Sequence, residues 1–234
     1  MNVQQVIERL EALADPEKIA FKEQKFGIQA ENSLGIYHQD LKALAKEIGS
    51  DNQLAIALFD TGIYEAKILC SKIYDPDSIS IEQMEHWVAT FENWEICDSF
   101  CMGFFAKSRH ALAKAMEWSG NEKEFTKRAG FAMMAAYGFA NKNAENDVFE
   151  QFFLPIEREA ADERIYVKKA VNWALRNIGK RNKDLQQAAI NLANKILLKQ
   201  SKSAQWIAKD ALRELEKPKV NILDYPRAIY RPKV

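Results

Sequence analysis

Glycine and proline are scarce in this chain, with 9 Gly and 6 Pro among 234 residues. So few breakers exclude collagen-like, proline-rich and turn-dense β architectures. Cysteine is scarcer still: Cys70, Cys97 and Cys101. An odd count without an evident export signal argues against a disulfide framework, and buried reduced thiols are expected. Cys97 and Cys101 share a helical face, but His86 and His110 stand at no metal-site spacing from them, so a structural metal is not expected. No apolar run reaches 18 residues, and Met1–Ala14 is amphipathic and carries acidic residues. Neither a membrane span nor a targeting peptide is expected, which points to a soluble cytoplasmic protein without a membrane partner.

Net charge is also lacking, at +0 with 33 basic and 33 acidic residues. The balance hides an asymmetry. From Arg164 to Val234 there are 17 Lys/Arg against 5 Asp/Glu, whereas the preceding 163 residues hold 16 against 28. A segment this basic localises positive potential where the average shows none, which suits a nucleic acid or simply a solvated lysine-rich surface.

What is present is helical periodicity. Nearly every segment repeats apolar residues at i, i+3, i+4 and i+7, and none alternates as a strand would. Helices are expected over 2–14, 16–30, 38–49, 51–60, 63–74, 80–90, 94–106, 108–118, 121–139, 144–161, 163–179, 182–199 and 202–216. Asp51 and Asn93 can cap starts, and Asp75-Pro76-Asp77 makes a turn. The fold class is all-α. Helix pairs recurring about every 35 to 45 residues fit a HEAT-like solenoid. One domain over 1–217 is expected, followed by an extended basic tail over 218–234 that contains Pro218, Pro226 and Pro232.

Three stretches carry chemistry. In Lys168–Asn182, Val171, Ala174, Leu175 and Ile178 make an inward stripe, while Lys169, Trp173, Arg176 and Lys180 share another face. An aromatic among cations suits nucleic-acid stacking or an internal cation–π contact. In Asn93–Phe105, Trp94 and Asp98 are four apart on one face, with Ile96, Phe100 and Phe104 towards the core. In Glu124–Tyr137, Lys127 and Arg128 open an apolar helix; the arginine could hold a phosphate or pair with Glu124.

At these residues the sequence resembles the DNA alkylation repair family, the HEAT-like alkylpurine DNA glycosylases. The likeness runs from Phe26-Gly27-Ile28 through Leu34-Gly35-Ile36 and Glu65-Ala66-Lys67 to Lys217. Its marks are Trp94 with Asp98, Lys127-Arg128-Ala129, and the run from Lys168 to Arg176. The resemblance implies a curved array of helix pairs with a concave DNA-binding face, and hydrolysis of the N-glycosidic bond of cationic N3- or N7-alkylated purines in duplex DNA. It implies Asp98 as the catalytic carboxylate, Trp94 and Trp173 as the aromatics beside the sugar and backbone, and Arg128 and Phe26 against DNA. Lys127, Lys168, Lys169, Arg176, Lys180 and Arg181 are expected to add phosphate contacts. Glu95 and Cys97 depart from the family pattern, a difference expected to affect packing.

The residue types suit that chemistry. An alkylated purine is already a cationic leaving group, so a carboxylate need stabilise only the oxocarbenium-like sugar and orient water. No cofactor is required. A monomeric, nucleoid-associated enzyme is the expectation. Two alternatives remain: a non-catalytic binder of branched or unusual DNA using the same groove, and a protein-interaction scaffold of the same repeats.

Overall fold

The computed structural model describes residues 1–220, and every regular element among them is a helix. The remaining part of the expected tail lies outside the described residues. The chain forms two compact units, Met1–Ser108 and a second beginning at Arg109.

The first unit contains α1 (Val3–Glu11), α2 (Pro16–Phe26), α3 (His38–Ile48), α4 (Asn52–Asp60), α5 (Tyr64–Ile73), α6 (Ile81–Val88) and α7 (Trp94–Gly103), followed by a 3-10 turn at Phe105–Lys107. Asn2, Asp15, Asp51, Ser80 and Asn93 each accept a hydrogen bond from a first-turn N–H, so five starts are set by local side chains. The helix expected over 16–30 stops at Phe26. Gly27 takes φ 63° there and returns its N–H to Glu23, closing the helix in a left-handed turn.

Helix α5 packs against α3, α4 and α7. Around them lies an aromatic core: Phe100 on α7 meets Phe59, Trp87 and Phe91 with ring centroids 6.1, 5.6 and 5.1 Å apart. Aromatic pairs in such geometries add roughly 0.5–1.5 kcal/mol each beyond their buried area. One face of α7 is therefore locked, which fixes what its opposite face presents.

Two marks of the family resemblance have a physical explanation in this unit. The carboxylate of Glu65, fully buried on α5, accepts hydrogen bonds from the backbone N–H groups of Leu34, Gly35 and Ile36 and from the Ser33 hydroxyl. Gly35 sits at φ +75°, and a Cβ there would lie 2.1 Å from the Asp15 carbonyl oxygen. The loop before α3 thus needs both the glycine and the glutamate.

The second unit contains α8 (Ala111–Trp118), α9 (Glu124–Ala140), α10 (Asn146–Glu150), α11 (Phe153–Glu159), α12 (Ile165–Gly179), α13 (Lys183–Leu197) and α14 (Lys202–Leu215). Helix α9 is sandwiched between α8 and α12, and α12 also packs on α13 and α14. Its burial explains why α9 is apolar almost all round. The single helix expected over 144–161 is instead two, α10 and α11. Pro155 lacks the N–H that a continuous helix would direct at Gln151, so it sits in the first turn of a new helix.

Among the described residues no helix is long and apolar enough to cross a membrane. The three cysteines are buried, and none of them is joined in a disulfide.

Candidate nucleic-acid interface

Helix α7 begins with a strong local instruction. The Asn93 side chain accepts from the N–H groups of both Glu95 and Ile96 and itself donates to the Gln29 carbonyl. Trp94, the next residue, is half-buried. Its indole Nε1–H donates to the Phe26 carbonyl at 3.1 Å, and its ring meets Phe26 edge-on at 6.4 Å. Phe21 packs on Phe26 at 5.8 Å, and the Lys25 ammonium lies 4.9 Å and 5.7 Å from the two phenyl centroids. Phe21 and Phe26 remain 43% and 45% exposed. An exposed aromatic patch carrying a cation offers ring faces and positive charge together, which suits a sugar–phosphate surface. Asp98 stands half-buried one turn along α7 from Trp94. The structure therefore brings Phe26, Trp94 and Asp98 to one region.

Beneath this region lies a buried polar network. The Glu95 carboxylate binds the Lys22 ammonium from α2 at 3.0 Å, accepts from the Tyr64 hydroxyl of α5 at 3.0 Å, and meets His38 of α3 at 3.3 Å. Four helices are tied at one side chain. Burial by itself would raise the Glu95 carboxyl, but hydrogen bonds from His38 and Lys22, with their charge, hold it below the usual range. Burial and the Glu95 charge push the Tyr64 hydroxyl the other way, far above its ordinary value. Glu95 is thus more than the packing difference expected from the sequence: it fixes the start of the helix that carries Trp94 and Asp98.

The sign of the Glu95 shift gives a prediction. A carboxylate whose folded pKa is depressed contributes stability that is fully present above pH ~4.3, its ordinary value, and is lost as pH falls through the lower folded value. Replacing Glu95 with Gln is expected to destabilise the protein at neutral pH, because Lys22 is left buried without its partner, and to make the acid limb of a melting-temperature profile shallower. An acid limb as steep as the wild type's would show that Glu95 is not its source.

In the second unit the expected inward stripe is buried, with Val171, Ala174 and Leu175 fully enclosed. Trp173 is half-buried and Lys169 exposed. Arg176 and Lys180 reach across to Glu214 of α14 at 2.5 and 2.8 Å, so their charge is partly matched internally. Lys168 stands over the Trp206 ring at 5.3 Å.

Three expected phosphate contacts are corrected by this packing. Lys127, Arg128 and Arg181 are only 6%, 6% and 2% exposed. Lys127 pairs with Glu159 at 2.6 Å and Asp162 at 3.3 Å. The Arg128 guanidinium donates to the Tyr166 carbonyl at 2.7 Å. That of Arg181 donates to the carbonyls of Lys142 and Ala144 at 2.9 and 2.6 Å and stacks 4.1 Å from the Phe149 ring. In each case, packing the helices together requires the cation inside, beside a carboxylate or a carbonyl at a helix end.

The family model described as DNA alkylation repair enzyme matches residues 6–215, a span that takes in both the α7 surface and the α12 helix. The chain belongs to this family. No curated protein matches the sequence. A solved structure is similar at TM-score 0.77 and 19% identity, covering 94% of this chain and 97% of the other. It is described as representing a new family of proteins related to the HEAT-like repeat DNA glycosylases, with affinity for branched DNA structures. A designed armadillo repeat protein aligns at TM-score 0.38 and 14% identity, over 76% of this chain and 92% of its own. The DNA alkylation repair fold is therefore the HEAT-like, all-helical one expected.

Within this DNA alkylation repair chain, sequence reasoning missed two sets of residues. Lys22, Tyr64 and Glu95 carry no motif, because their partnership depends on contacts between α2, α5 and α7. Trp206, 41% exposed on α14, did carry a signal: Lys202, Trp206, Lys209 and Arg213 repeat the 4-3-4 spacing of cations and indole recognised in α12.

Proposed function

We propose that this chain is a monofunctional DNA glycosylase that hydrolyses the N-glycosidic bond of cationic N3- or N7-alkylated purines in duplex DNA. The observation that carries the reading is the outward side of α7, where Trp94 and Asp98 stand one turn apart on a helix immobilised by its aromatic core and by Glu95. Preorganised charge stabilises a transition state best when it need not move.

In this reading Asp98 is the catalytic carboxylate. Its negative charge stabilises the oxocarbenium-like sugar as the C1′–N bond breaks, and it orients the water that supplies oxygen to C1′. The departing purine leaves as a neutral base because it was cationic when bound. Trp94 adds its ring face to the same developing charge, with Phe26 and Lys25 flanking it. Trp173 is assigned the backbone of the bound strand. Lys168, Lys169, Arg176 and Lys180 are assigned phosphates, so affinity should fall steeply with salt. The enzyme is read as a monomer, working in the cytoplasm at the nucleoid.

A second reading is favoured by the branched-DNA affinity described for the similar solved structure. It uses the same surface without catalysis. Incubating the purified protein with methylated duplex DNA and chromatographing the free bases separates the two. Release of 7-methylguanine or 3-methyladenine is expected. Tight binding of flaps or four-way junctions with no released base would instead establish the non-catalytic binder.

A further inference from the structure

Away from the aromatic patch, the first unit contains an open cleft of about 650 Å³ bounded by α3, the end of α5, the turn after it, and the last turn of α7. Its charge is one-sided. Lys42 and Lys46 reach it from α3, Lys72 from α5 and Lys107 from the 3-10 turn, against the single carboxylate of Asp75. Three of these lysines are exposed and Lys72 is half-buried. Among the described residues, none of the four ammonium groups forms an ion pair, in contrast to Lys22, Lys127 and Lys180. Holding four like charges around one concavity is unfavourable unless solvent ions or a ligand screen them.

We propose that this cleft is a phosphodiester-binding site that seats a strand of the DNA handled by the Trp94–Asp98 surface. The proposal rests on the DNA reading above and adds a place where the backbone is held. Three observations favour a strand over a small anion. The cations come from three separate elements around the rim of a cleft of about 650 Å³, an arrangement that consecutive phosphates of a strand can follow. The cleft is open and its rim lysines are point charges on flexible stems, which bind a polyanion through counterion release rather than by enclosing it. Finally, Ser99 lines the cleft and directly follows Asp98, so the two lie on adjoining faces of α7, about 100° apart around the helix. A strand in the cleft therefore passes alongside the helix that bears the carboxylate.

Lys72 gives the site a pH dependence. Burial first, then the nearby Lys42 charge, lowers its ammonium to about 8, with Glu95 opposing. Lys46, Lys107 and Asp75 complete the charges around it, and the Tyr74 hydroxyl, raised by burial, stays neutral in this range. Protonated below pH 8, Lys72 attracts a phosphate; above it, that attraction is lost.

The test uses the full chain and a fluorescein-labelled duplex followed by anisotropy over a range of salt. A triple variant, Lys42→Gln, Lys46→Gln and Lys107→Gln, changes only exposed side chains and so keeps the fold. It is expected to weaken binding by about 10-fold or more at low salt and to flatten the log–log salt slope by about 2.7, roughly 0.9 for each of the phosphates that the three lysines no longer neutralise. Lys72→Met is expected to remove a loss of affinity that the wild type shows as pH rises through 8.

If the triple variant binds with wild-type affinity and slope, the cleft proposal falls while the DNA reading stands. If the wild type binds no duplex and releases no base, both fall. Inorganic phosphate, titrated at constant ionic strength and followed by lysine side-chain NMR, is expected to bind only weakly. Low-millimolar saturation, combined with unchanged DNA binding by the triple variant, would reassign the cleft to free phosphate and overturn the strand.

Discussion

Asp98→Asn is expected to reduce release of 7-methylguanine from methylated duplex by about 100- to 1000-fold, the scale on which removing one preorganised electrostatic partner acts on a transition state, about 2.7–4 kcal/mol. The amide is nearly isosteric and removes the charge that the proposed mechanism directs at the oxocarbenium-like sugar. Duplex affinity should stay within a few fold of wild type, because a carboxylate repels phosphate in the ground state and its removal cannot weaken that binding. The readout is single-turnover base release at saturating protein, with anisotropy confirming equal occupancy. A variant that releases base at the wild-type rate would remove Asp98 from catalysis. A variant that loses DNA binding and release in parallel would point to a disturbed α7 instead, and a melting curve would show it.

The second large effect concerns stability. Arg181→Met is expected to destabilise the protein by about 3–4 kcal/mol. The arginine is 2% exposed, and its donors satisfy the carbonyls of Lys142 and Ala144, just past the end of α9. Methionine fills comparable volume against Phe149 but donates nothing, and each hydrogen bond from the charged guanidinium to these part-buried carbonyls is worth about 1.5–3 kcal/mol. Chemical denaturation measures the destabilisation. The result also separates this buried role from contact with DNA. If Arg181 met phosphate, the variant would keep its stability and flatten the salt dependence of DNA binding by about 0.9 instead.

Arg181 shows why the basic segment after Arg164 was only partly legible. The sequence counts charges along the chain, whereas the electrostatic surface depends on what folds against them. Acidic residues just before that segment neutralise its cations and others nearby: Glu157 binds Lys195 at 2.9 Å, and Asp162 holds both Arg164 and Lys127. Glu214, from within the segment, takes Arg176 and Lys180. In the net-acidic half, by contrast, Lys42, Lys46, Lys72 and Lys107 line one cleft, although their spacing forms no pattern in the sequence.

Local signals fared better. The helical period was legible because each helix carries its buried stripe at i, i+3 and i+4, and the cap at Asn93 because a side chain two or three residues away from its partners needs no distant context. Boundaries moved where one residue changes the backbone rule: Gly27 ended α2 early, and Pro155 divided α10 from α11.

The sequence by itself determined the all-helical, HEAT-like class and the pairing of Trp94 with Asp98 on one face, which rest on periodicity and short-range spacing, and the family, which rests on the resemblance of its motifs at Trp94–Asp98, Lys127–Ala129 and Lys168–Arg176. Tertiary structure alone decided that Glu95 anchors α7 through Lys22, Tyr64 and His38, that Phe26 lies against Trp94, and which lysines and arginines reach solvent. Those outcomes depend on which helices meet, and how much of a charge is left for a ligand depends on the partners that packing gives it.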